Sequence, residues 1–211
     1  MTETSLPTQA FLIAYDVERQ KLAGGTTHGI LVRAAALVEL SLGGQLEDEN
    51  GKARPTGRGT SDPELAAVLA QIAESKPRVW KYWVAKDHKA TYQAVRGRLV
   101  LDRVITVEEV KLLGLIPKQH VTVRDTRDVN QLIAQARQAV LGGAPVERVD
   151  PRAAALVSLV AAVELNTVFS GRERREHRAT IKQLAERTGP AVKALRKAVE
   201  EQQAVAAASA V

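Results

Sequence analysis

Residues 28–44 read HGILVRAAALVELSLGG, and this stretch decides the fold. From His28 to Leu42 nearly every position is apolar: Ile30, Leu31, Val32, three alanines, Leu37, Val38, Leu40 and Leu42. Ala and Leu lose little side-chain freedom in a helix, and a helix that is apolar on all sides is a buried one. Gly43-Gly44 ends it, because glycine takes the left-handed backbone of a C-cap. A second segment of the same kind follows Asp150-Pro151, where Ala153–Val163 is again almost wholly apolar. The two are natural partners at the centre of the molecule.

Around them the pattern becomes one-sided. Ser61-Asp62-Pro63-Glu64 is a helix start, and Leu65, Val68, Leu69 and Ile72 follow at helical spacing. Asp128–Leu141 carries Val129, Leu132, Ile133, Ala136 and Val140, closed by Gly142-Gly143. Further helices are expected over Leu6–Tyr15, over Lys76–Arg103 with a break near Asp87, over Arg172–Arg187, and over Pro190–Ala208. Thr106 with Glu109 has the spacing of a capping box ahead of a short helix. Two hairpins interrupt the helices. Asn50-Gly51 is a tight-turn pair ahead of a loop over Gly51–Thr60. Leu112, Leu113, Leu115 and Ile116 run through Pro117-Lys118-Gln119 into Val121-Thr122-Val123. The expectation is an all-α fold of buried apolar helices surrounded by amphipathic helices, with a short β-hairpin. It is one domain, 1–211, frayed over 1–5 and 205–211.

Composition narrows the function. Hydrophobic residues make up 45% of the chain but aromatics only 3%, so the core is built from Ala, Val, Leu and Ile. The chain has no cysteine, which excludes disulfides and thiolate metal sites. His28, His88, His120 and His177 are scattered, and no pair has metal-ligand spacing. With no nucleophile elbow and no Walker loop, the reading is of a protein that is not an enzyme and uses no cofactor or metal. Glu39 and Glu164 lie on the two buried helices and read as structural polar contacts. Met1–Pro7 lacks the layout of a secretory signal, and no apolar run approaches the roughly 20 residues of a membrane-spanning helix. A cytoplasmic protein that meets membranes from the water side is expected.

The net charge of +6 favours phosphate-bearing partners. Between Lys76 and Arg103 lie eight basic residues, Lys76, Arg78, Lys81, Lys86, Lys89, Arg96, Arg98 and Arg103, against only Asp87 and Asp102. Trp80, Tyr82, Trp83 and Tyr92 share the segment. Cations beside amphipathic rings suit an anionic membrane surface. Trp80 and Trp83, three apart, equally suit a core. The run Arg172, Arg174, Arg175, Arg178, Lys182 reads as a solvated helical face. Nucleic acid would use the same basic segments, but no recognisable nucleic-acid-binding motif is present.

Four segments in order resemble the Golgi phosphoprotein 3 family. Gly29–Arg33 leading into Leu37-Val38-Glu39-Leu40-Ser41-Leu42-Gly43-Gly44-Gln45-Leu46 is similar to the family's buried helix ending "IELALxGRL". Pro55-Thr56-Gly57 followed by Ser61-Asp62-Pro63-Glu64-Leu65 resembles "PTGDxLLDEAL" with extra residues inside it. Leu112–Asp125 resembles the family's apolar hairpin, and Asp150–Leu156 resembles "DxRxxALIxL". The Ala/Arg/Val-rich composition suggests a bacterial member. The resemblance implies a helical peripheral membrane protein that binds anionic phospholipid headgroups, phosphatidylinositol 4-phosphate in eukaryotic members, where it also recruits glycosyltransferases as an adaptor at the Golgi. The implied headgroup site uses Arg33 and Arg96. Gly24 stands where the family has a Trp and Gln93 where it has the first of two basic residues, so half of the set is retained. Arg98, Lys89, Trp80 and Trp83 would support that surface. Leu115, Ile116 and Pro117 would form a membrane hairpin that also serves self-association. From the residues alone, Arg33 is either ligand-facing or paired with Glu39 or Glu164; the resemblance favours the ligand. The alternative function is a helical binding protein for another phosphorylated ligand or nucleic acid.

Overall fold

The computed structural model describes residues 4–112 and 116–208. Helix α1 spans Leu6–Leu12 and α2 spans His28–Leu42. Helix α2 is buried as its composition requires: Ile30, Leu31, Val32, the three alanines, Leu37, Val38 and Leu40 are each at most 1% exposed. The second apolar helix, α7 (Pro151–Ala162), starts on Asp150, whose side chain accepts from the backbone N–H groups of Arg152 and Ala153. Glu39 joins three helices. Its carboxylate accepts the Leu6 N–H at the start of α1 at 2.5 Å and pairs with Arg152 at the start of α7.

The remaining helices form a shell around this pair: α3 (Pro63–Ala73), α4 (Trp80–Ala85), α5 (His88–Leu101), α6 (Thr126–Leu141), α8 (Gly171–Glu176), α9 (Arg178–Glu186) and α10 (Pro190–Ala208). Asp62 caps α3 by accepting from the Leu65 N–H at 2.9 Å, with Pro63 in the first turn. The break expected near Asp87 separates α4 from α5, and Asp87 itself has φ 51°. The fold is predominantly helical, as the composition indicates.

Three small antiparallel sheets complete it. Strands β1 (Tyr15–Asp16) and β2 (Lys21–Leu22) pair. Strands β3 (Leu46–Glu49), β4 (Lys52–Pro55) and β5 (Arg78–Val79) form a sheet in that order, and β6 (Ile105–Leu112) pairs with β7 (Ile116–Val123). Between β3 and β4, Asn50 and Gly51 have φ of 53° and 77°. Two consecutive positive φ values are what a two-residue hairpin turn with the right strand twist requires.

Several boundaries differ from the sequence reading. The opening helix stops at Leu12, and Tyr15 belongs to β1. Lys52–Pro55 is strand rather than loop, and the Arg172–Arg187 helix is broken at His177. The Thr106–Glu109 spacing does not start a helix; both residues lie in β6. The same letters fit either state, and the alternation that buries Ile105 against Val121 and Val123 in one apolar cluster decides for strand. That hairpin is therefore longer than expected. The anticipated turn, Pro117-Lys118-Gln119, lies inside β7, paired with Lys111, Val110 and Glu109. Proline fits there because each strand of a two-stranded sheet is an edge.

The cores follow from this arrangement. One apolar cluster surrounds α2 and α7. A second joins Phe11, Leu12, Tyr15, Val32, Val95 and Leu99 to Ile105, Val121, Val123 and Val129. It is this second cluster that seats the β6–β7 hairpin against α5.

Candidate functional site

Helix α5 presents Lys89, Tyr92, Gln93 and Arg96 at spacings of three and four, so they share one face. That face forms a wall of a cleft of about 720 Å³. The turn Gly25–Thr27 and the start of α2 form another side, Arg19 and the β2 residue Lys21 a third, and Gln119 and His120 of β7 close it. Arg19, Lys21, Lys89 and Arg96 thus line one cavity, and among the described residues no Asp or Glu lines it. Arg96 donates to the Gln119 side chain and lies 6.0 Å from the Tyr92 ring centroid. Arg19 is 3.8 Å from Asp16, a long contact made by a largely exposed guanidinium. Such a cleft concentrates positive potential, and two guanidinium and two ammonium groups are suited to phosphate oxygens.

Beneath the cations is an aromatic floor. Phe11, His28 and Tyr92 lie with ring centroids 5.1–5.2 Å apart. Burial pushes the Tyr92 phenol up, opposed by the Arg96 charge. His28 is buried, and burial lowers its pKa to about 4, the carbonyls of Phe11 and Ala10 opposing the shift. Its imidazole is neutral at neutral pH, and its Nε2 has no hydrogen-bond partner. Gly29 is needed here: a Cβ would meet the His88 ring at 2.9 Å.

The structure sorts the sequence-expected residues. Lys89, Gln93 and Arg96 come together. Gly24 lies on the far side of the adjoining turn and lines a neighbouring cavity of about 800 Å³. Its φ of 89° is a conformation in which a tryptophan would be strained. Arg98, two residues from Arg96, points elsewhere and pairs with Asp102 at 2.7 Å. Leu115 lies outside the described residues; Ile116 and Pro117 are in β7.

Arg33 is a correction. It is 0% exposed and therefore does not face the cleft. Its Nε donates to the Trp83 carbonyl at 3.0 Å, one terminal nitrogen to Thr91 Oγ1 at 2.9 Å and the other to Gln71 Oε1 at 2.9 Å. Neither Glu39 nor Glu164 is its partner. Helix α4 ends at Ala85, so the Trp83 carbonyl is one of the orphan acceptors at a helix C-terminus, and Arg33 supplies the donor. Burial lowers its pKa to about 10, with Asp87 opposing, so the cation persists at neutral pH.

Trp80 and Trp83 are corrections too. They are 3% and 1% exposed, and neither forms a surface. Trp80 Nε1 donates to Asp48 Oδ1 at 2.5 Å, pinning α4 to the β3–β4 hairpin. Tyr82, on the exposed side, carries Arg78 at 5.4 Å from its ring centroid. Arg19, Lys21 and His120 were not singled out for this site by any motif. Lys21 and His120 reach it from strands, and the folded chain alone brings them beside α5.

The sequence profile of the Golgi phosphoprotein 3 (GPP34) family matches residues 6–202. The chain belongs to that family. A search of curated proteins finds no match to this family member. No helix among its described residues is long and apolar enough to cross a membrane. Among those residues, no group of three or more His, Asp or Glu is placed to hold a metal ion.

Proposed function

We propose that this Golgi phosphoprotein 3 family member is a non-catalytic peripheral membrane protein that binds anionic phospholipid headgroups in the α5 cleft, as an adaptor. The observation that carries the reading is the convergence of Arg19, Lys21, Lys89 and Arg96 on a cavity with no carboxylate among its described lining residues. Family membership supports a phosphoinositide such as phosphatidylinositol 4-phosphate as the headgroup. With Gly24 and Gln93 in place of an aromatic and a basic residue, the contacts come instead from Lys21, Lys89 and the Tyr92 ring. The β6–β7 hairpin beside the cleft, with Ile116 and Pro117 in β7, is together with Leu115 the proposed point of insertion and of self-association. The setting is the cytoplasmic face of a membrane.

Liposome co-sedimentation tests this. Vesicles of phosphatidylcholine doped with phosphatidylinositol 4-phosphate or phosphatidylserine should bind the protein, and pure phosphatidylcholine should not. Each basic residue near an anionic surface contributes about 1 kcal/mol, so the K89E/R96E variant should lose at least ~30-fold in affinity. Wild-type protein that ignores both acidic vesicles, or a double variant that binds like wild type, sinks the reading.

A further inference from the structure

The run Arg172–Lys182 reads as a charged helical face, but the folded chain does not present it as one. Helix α8 ends at Glu176 and α9 begins at Arg178, with His177 at φ −102°, ψ 20° between them. The bend turns part of the run towards α10. Arg174 and Arg175 of α8, Arg178 and Lys182 of α9, and Arg196 of α10 line one cavity of about 730 Å³. Its floor is apolar, from Ala161 and Ile181, and among the described residues Glu164 is the one acidic residue lining it.

The partners of these cations separate them into two sets. Arg174 is anchored, donating to Asn166 Oδ1 at 3.0 Å and to the Phe169 carbonyl at 2.5 Å. Lys182 has only a loose contact with Glu186 at 3.9 Å. Arg175, Arg178 and Arg196 have no ion-pair or hydrogen-bond partner among the described residues, although they share a cavity. Three guanidinium groups without a carboxylate partner around one cavity leave their charge open to an anion.

We propose that this cavity is a second anion site, separate from the α5 cleft, that takes a small ligand bearing several phosphate groups. Guanidinium forks match phosphate oxygens in pairs, and several of them on one cavity call for several phosphates. The volume is that of a small-molecule site. Among the described residues no aromatic side chain lines it, so it offers no platform for stacking a base, and phosphate density rather than a nucleobase is what it recognises. Glu164 opposes every such ligand and sets the lower limit of charge that can bind. The two cavities have no lining residue in common, and this assignment stands whether or not the α5 cleft binds lipid.

Titration calorimetry of the full chain with inorganic triphosphate, at ~0.15 M salt to suppress diffuse attraction, tests it. Wild-type protein should bind. The R178Q/R196Q variant, altered at exposed positions and checked by circular dichroism, should bind at least ~10-fold more weakly. E164Q should bind more tightly, a gain that a purely structural role for these residues does not produce. K89E/R96E should bind triphosphate at this site as wild type does. Vesicles containing a polyphosphorylated phosphoinositide identify the source. With the α5 cleft disabled by K89E/R96E, vesicle binding that persists and is then abolished by adding R178Q/R196Q makes the ligand a headgroup, and its absence makes it a soluble phosphate ester; both accord with the proposal. Failure of wild type to bind, equal binding by R178Q/R196Q, or loss in K89E/R96E with retention in R178Q/R196Q overturns it.

Discussion

Replacing Arg33 with methionine separates a structural cation from a ligand-binding one. The guanidinium is fully buried and spends its donors on Trp83, Thr91 and Gln71, drawn from α4, α5 and α3. Methionine fills similar volume without a donor, so the packing loss is small. What remains is a Trp83 carbonyl without a partner and a Thr91 oxygen that keeps only its own donation to the Asp87 carbonyl, at 3.3 Å. Gln71 is half-buried and can turn to water. Two buried acceptors left unsatisfied cost about 1–3 kcal/mol each, and relief from burying a cation offsets part of this. The expected net loss is about 2–4 kcal/mol, a large share of the stability of an ordinary domain. For a chain of this size that lowers the melting temperature by about 4–16 °C. Urea and thermal melts followed by circular dichroism measure it, with co-sedimentation run well below the transition. Vesicle binding per folded molecule should equal that of wild type. A variant as stable as wild type that no longer binds acidic vesicles would refute the reasoning, because the guanidinium would then have to reach the ligand.

Acid sensitivity should trace in part to His28. Its pKa is about 4 in the folded protein and near 6.5 when unfolded, so the unfolded chain binds its proton more readily. The stability it contributes is complete above pH ~6.5 and falls by up to ~3 kcal/mol as pH drops towards ~4. Urea melts at pH 7.5 and 4.5 should show a smaller loss in His28→Gln than in wild type; identical losses would count against it. Asp62→Ala removes the cap on α3 and should cost about 1 kcal/mol at neutral pH. A chemical melt with unchanged midpoint would show that the Leu65 N–H finds water instead.

Helix content was legible in the chain because its signals are local. The His28–Leu42 apolar run, the Asp62-Pro63 start, the break at Asp87 and the Asn50-Gly51 turn each depend on neighbours within a turn or two, and all four hold. The capping-box spacing at Thr106–Glu109 failed because pairing with Val121 and Val123 outweighs a local signal. Part of the cleft was legible in the chain: the basic run from Lys76 to Arg103 holds Lys89 and Arg96, and the family resemblance pointed to Gln93 and Arg96, which α5 places on one face. Arg19 and Lys21 were not, because nothing near them in the chain says that their hairpin abuts α5.

By itself, then, the sequence determined most of the helices, the caps at Asp62 and Asp150, the all-α class and the family. Tertiary structure decided which charges and rings meet solvent. Arg33 is buried because α4 stops at Ala85, and Trp83, fifty residues along the chain, needs a donor for its carbonyl. Arg196 joins Arg178 because α10 packs beside α9's cavity. Helix periodicity is written in neighbours three and four residues apart, whereas the partner of a buried or clustered charge is chosen by whichever distant segment the packed core brings against it.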